Sequence, residues 1–191
     1  AIEYVVEMRA IPQRRTLDRL LLGGEVEAAE IARIGERLAR FHAEAEIPAD
    51  PGASVPRLVA ALDENLETTR ERAGGAIAAA RLGAAEDFTA AFLLRGEAEL
   101  ERRAAAGLVR DGHGDLRAEH VLVIDPIQVY DCIEFDPGLR EIDVAADLAF
   151  LLMDVERLGA GERAAELLDA YRRAGGDPGE PHLLAFLCSY R

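Results

Sequence analysis

The stretch His113-Gly114-Asp115-Leu116-Arg117-Ala118-Glu119-His120, with Asp131-Cys132-Ile133-Glu134-Phe135 downstream of it, decides how the rest of this chain is read. Between the two lie Val121-Leu122-Val123-Ile124 and Val129-Tyr130, short β-branched runs separated by Asp125-Pro126-Ile127-Gln128. Proline at the second position of a four-residue turn suits a hairpin. Pairing Ile124 with Val129 places Leu122 opposite Asp131, and His120 then lies on the order of 7 Å along the ladder from Asp131. Phosphoryl transfer needs a carboxylate to accept the proton of an attacking hydroxyl, a cation near the moving group, and ligands for divalent metal on the nucleotide phosphates. Asp115, Arg117, and the pair His120 and Asp131 offer these in order.

The same residues, with Asp143-Val144-Ala145-Ala146-Asp147-Leu148-Ala149 and the upstream Leu38-Ala39-Arg40-Phe41-His42, resemble the aminoglycoside phosphotransferase and choline kinase-like group of small-molecule kinases. Asp131 to Phe135 and Asp147-Leu148-Ala149-Phe150-Leu151 look more narrowly like an uncharacterised bacterial branch of that group, sometimes joined to a P-loop kinase-like domain. The resemblance is specific between Asp111 and about Asp154. It implies an α+β, mainly helical fold, the C-terminal lobe of a protein-kinase-like enzyme, with catalytic loop and hairpin over 108–132. It also implies transfer of the ATP γ-phosphate to a hydroxyl of a small molecule, with Mg²⁺ or Mn²⁺ as the metal. Asp115 and Arg117 would be catalytic, and His120 and Asp131 would hold metal. A hinge strand within 1–10 would present the backbone of Glu7, Met8 and Arg9 to the adenine.

Two departures bear on this. The group usually carries Asn where this chain has His120, and imidazole is a poorer partner for Mg²⁺ than an amide oxygen. Arg117 can pair with phosphate but cannot act as a base at neutral pH. The chain also contains no lysine, all 22 basic residues being Arg, and neither a Gly-x-Gly-x-x-Gly nor a Walker A motif. The anchoring N-terminal lobe is therefore expected to lie outside this chain, the isolated chain being incomplete and inactive. Two other readings stay open: a pseudokinase or binding module that kept the fold without turnover, and a hydrolase using His113, Asp115, His120 and Asp131 as metal ligands.

Composition fits one domain over 1–191, since 191 residues at 50% hydrophobic content can bury a sizeable core. A net charge of −14 disfavours nucleic acid and anionic membrane surfaces. The same charge would favour a cationic substrate, although acidic surfaces also serve solubility alone. No apolar run reaches membrane-spanning length and no signal peptide is visible, and Cys132 and Cys188 lack metal or redox spacing. They read as reduced core thiols of a cytoplasmic protein.

Helices are expected over 17–22 with Thr16 as cap, 26–45 with Ile31, Ile34, Leu38 and Phe41 on one stripe, 56–73, 84–106, 142–158, 161–174 and 181–190. Gly23-Gly24 reads as a helix stop and Gly74-Gly75 as an interruption. Each singled-out residue has a plainer reading. Asp115 could cap a turn, Asp131 could bond strand-end backbone, and His120 could be a structural replacement. His113 reads as a loop brace and His42 as a packed helix residue. Asp143 and Asp147 are expected to brace the catalytic loop by accepting backbone N–H groups. Glu134 and Asp136 are substrate contacts or solvated acids, and Glu119 is a surface residue.

Overall fold

The computed structural model describes residues 10–72 and 79–190. The expected hinge strand, Ala10 apart, and the Gly74-Gly75 interruption lie outside these residues. Within them the chain is mainly helical, with two short antiparallel strand pairs.

Helix α1 (Leu17–Gly23) buries Leu17 and Leu20 and ends where Gly24 turns left-handed at φ 66°, with Glu25 N bonded to Leu20 O at 2.9 Å. Thr16 precedes the helix but does not cap it, because its hydroxyl donates to Asp18 and to Gln13 O while its backbone bridges to Leu122. Helix α2 (Ala28–Glu44) starts on a reciprocal capping box between Glu27 and Glu30. Ile31, Ile34 and Leu38 are fully buried on its inner stripe, and the stripe continues through His42 in place of the half-buried Phe41.

Gly35 sets the approach of α2 to α6 (Gly161–Arg173). A Cβ at that position would stand 2.7 Å from Ala170 Cβ and 2.8 Å from Tyr171 N, so only glycine lets the backbones come this close. Helix α5 (Val144–Arg157) is apolar nearly all round and accordingly buried, packed between α6 and α7 (Pro181–Tyr190). Helices α3 (Ser54–Arg72) and α4 (Ala79–Ala105) pair with each other, and Phe92 of α4 stacks flat on Phe186 of α7 with ring centroids 3.6 Å apart.

The strands frame the loop of interest. Strand β1 (Val109–Asp111) pairs with β4 (Glu141–Asp143), joining the segment before the loop to the start of α5. Strand β2 (Val121–Leu122) pairs with β3 (Gln128–Val129), Val121 opposite Val129 and Leu122 opposite Gln128. The expected pairing of Ile124 with Val129 is therefore wrong. Val123 leaves the ladder to donate to Arg15 O at 2.8 Å while its carbonyl accepts Arg15 Nε, and Ile127 turns into the core at 5% exposure. The turn closing the hairpin is wider than four residues, and His120 comes opposite Tyr130, whose N donates to His120 O at 3.1 Å.

Candidate active site

The loop between β1 and β2 is pinned from below by two acids of α5. Asp147, 1% exposed, accepts the amides of His113 at 2.8 Å and Gly114 at 3.0 Å. Asp154, about two turns further along the same helix, accepts the amide of Ala118 at 2.9 Å and is flanked by Arg157. Asp147 also meets His42 Nε2 at 3.3 Å, and His42 Nδ1 meets the Tyr171 hydroxyl at 2.8 Å. Burial works against a charged Asp147, but the hydrogen bonds from His42 and the loop amides outweigh it and hold its pKa below the ordinary carboxylate value. The same burial, beside Asp143 and Asp147, pushes the Tyr171 phenol upward.

The expected brace from Asp143 does not form. Its carboxylate is forked by Arg103 at 2.8 Å on each oxygen and caps its own helix through Ala145 N, while Arg103 also holds Asp177. Asp143 lies at the strand-helix junction, where the nearest unpaired amide belongs to α5 itself. Asp154 takes the second bracing role, and the sequence reading assigned it none. The signal was an acid seven residues after Asp147 with only apolar residues between the two.

Above these pins, Leu116 is fully buried, and the neighbouring Asp115 and Arg117 remain partly exposed. Gly114 adopts φ 81°, and a Cβ there would meet Leu139 O at 2.6 Å, so the loop is pressed against the 133–139 segment. Arg117 forks onto Asp115, Nε to Oδ1 and Nη2 to Oδ2 both at 3.1 Å, and its Nη1 pairs with Glu119. His113 bridges the loop, with Nε2 at 2.8 Å from Tyr130 O and Nδ1 accepting Asp115 N at 3.3 Å.

His120 is only 5% exposed and stacks on His113 with centroids 5.6 Å apart. Its Nδ1 lies 2.7 Å from Asp115 O, and a carbonyl can only accept, so Nδ1 carries the proton. In the neutral ring Nε2 is then the lone-pair nitrogen, and it faces Asp131 Oδ2 at 3.5 Å. Asp131 has φ 65°, unique among the described non-glycine residues, and its carboxylate is largely exposed. Strain of this kind clusters at functional sites.

The structure thus brings Asp115, Arg117, His120 and Asp131 together. Glu7, Met8 and Arg9 lie outside the described residues. Among the described residues no group of three or more His, Cys, Asp or Glu could hold a metal ion, so His120 and Asp131 stand as a two-donor set. Glu119 and Glu134 are exposed, and Asp136 accepts Gly138 N at 2.8 Å. Cys132 and Cys188 are both free thiols but not core residues as expected: Cys132 is exposed, and Cys188 is half-buried, its pKa raised by burial to about 11. No described helix is long and apolar enough to cross a membrane.

No family model matches the chain. It is similar to uncharacterized proteins of Mycobacterium tuberculosis and Mycobacterium bovis, 30% identical over 192 residues covering 99% of this chain. The chain spans 39% of the length of these relatives.

Proposed function

We propose that this segment belongs to a phosphotransferase that moves the γ-phosphate of ATP to a hydroxyl of a small molecule. The observation that carries the reading is the gathering beside the loop of a partly exposed carboxylate, Asp115, with a nitrogen and a carboxylate oxygen, His120 Nε2 and Asp131 Oδ2, at 3.5 Å from each other. In this reading Asp115 orients the acceptor hydroxyl and takes its proton, and Arg117 shifts from Asp115 toward the transferred group. His120 and Asp131 fit a divalent cation whose remaining ligands are nucleotide phosphates and water, a nitrogen-containing set that suits Mn²⁺ better than Mg²⁺. Such a cation would neutralise phosphate charge. Asp147 and Asp154 keep the loop amides paired, so Asp115 need not be reorganised before reaction.

The test is Asp115→Asn in the full-length protein, assayed for ATP-dependent phosphorylation of a panel of sugar and aminoalcohol acceptors. Turnover should fall by about 10²–10⁴-fold with ATP affinity retained. Equal transfer by both forms rejects Asp115 as the base. The second reading, a nucleotide-binding module without turnover, is favoured by His120, a poorer partner for Mg²⁺ than the Asn of the resembled group. It predicts ATP binding by the wild type with no transfer to any acceptor.

A further inference from the structure

A cavity of about 390 Å³ opens beside the loop, walled by α3, the 133–139 segment, β4 and α7, with Gly114 as the loop's own contribution. Its size is in the range of small-molecule sites. Val55, Leu58, Ala61, Ile133 and Leu139 give it a mainly apolar wall. Four acids also border it, and three are already engaged. Asp143 is forked by Arg103, Glu141 Oε2 meets Arg57 Nη2 at 3.3 Å, and Asp136 accepts Gly138 N. Glu64 alone has no partner among the described residues, and it is exposed at the rim. The cation of the wall, Arg57, has a buried Nε with no acceptor among those residues, covered by Gly138.

We infer that this cavity takes the alcohol, and that the alcohol is a mainly apolar compound bearing one hydrogen-bond-accepting oxygen for Arg57, not the cationic substrate that net charge alone would favour. A substrate with several amines needs several free carboxylates, and here three of the four bordering acids are engaged by internal partners. An apolar body needs a dry wall, and the part-exposed guanidinium of Arg57 at the cavity wall can donate to an acceptor oxygen. Gly114 borders the cavity and Asp115 follows it, so a hydroxyl at this end of the cavity would lie near the proposed base. The fate of that hydroxyl rests on the phosphotransfer reading; the binding does not.

The experiment uses the full-length protein and three probes: decalol, a decalol bearing a carboxylate, and an aminocyclitol with several amines. Binding is measured by calorimetry without nucleotide, and transfer separately with ATP. The carboxylated decalol should bind tightest. Arg57→Met should cost it about tenfold or more in affinity and leave decalol unchanged. Ala61→Phe should abolish binding of both and leave ATP affinity intact, with thermal unfolding reporting the fold and Ala61→Leu giving a weaker block if the larger change unfolds the chain. Tighter binding of the aminocyclitol, failure of either decalol to bind, indifference to both Ala61 changes, or an equal effect of Arg57→Met on both decalols overturns the assignment. If both decalols bind as described and no phosphate moves, the cavity assignment stands and the phosphotransfer reading falls.

Discussion

His120 is held by one ring nitrogen and offered by the other. The bond from Nδ1 to Asp115 O couples its orientation to the backbone of the proposed base, so the imidazole cannot turn without disturbing Asp115. If Nε2 is a ligand, Mn²⁺ should be preferred over Mg²⁺ in ATP binding by the wild type more than by His120→Asn, since an amide oxygen is the harder donor. Identical metal preference in calorimetry would make His120 structural. Asp147 makes a prediction of a different kind. Its pKa is lower in the folded chain than in the unfolded one, so its contribution to stability is complete above the ordinary carboxylate range and is lost as pH falls through the lower folded value. Urea midpoints of the wild type should therefore drop more steeply than those of Asp147→Asn between about pH 5 and about pH 2. Parallel slopes would show that Asp147 is not the acid-sensitive group. At neutral pH, Asp147→Ala should cost about 3 kcal/mol or more, because it orphans two buried amides and the His42 ring nitrogen.

Between elements, the tightest contact at the site is Gly114 against the 133–139 segment. Gly114→Ala would need a left-handed backbone and a Cβ inside Leu139 O, and should destabilise the chain by about 2 kcal/mol or more, seen as a lowered urea midpoint. An unchanged midpoint would mean that this segment moves aside freely. The helices were legible because apolar periodicity runs over many residues: the expected 181–190 helix matches α7, and 161–174 matches α6 within a residue. The β1–β4 pair was not, since three residues carry too little alternation to announce a strand. Hairpin register failed because Val123 is claimed by Arg15, whose side chain and carbonyl lie far away in sequence. Likewise the closeness of His120 to Asp131 was legible from their flanking of the hairpin, but it arises through a different pairing and the positive φ of Asp131. Arg103 was invisible as the owner of Asp143, because nothing local distinguishes one arginine of α4 from its neighbours.

At the scale of the whole molecule, Arg103 is the one buried arginine among the described residues. The Arg103 fork on Asp143 ties α4 to the β4–α5 junction, and its second arm on Asp177 reaches the approach to α7, so one guanidinium spans three parts of the fold. Lysine, with a single charged nitrogen, could not make this planar fork. The deepest consequence lies with the pins beneath the loop. Loop amides ordinarily trade their protons with water quickly, but those of His113, Gly114 and Ala118 are donated to buried carboxylates of the most enclosed helix. Their deuterium uptake should wait for α5 itself to open, at rates like those of the helical core, while amides in the exposed 134–136 stretch should label at once. By the clock of isotope exchange the loop belongs to the interior, and the solvent-facing part of the site is the segment opposite it.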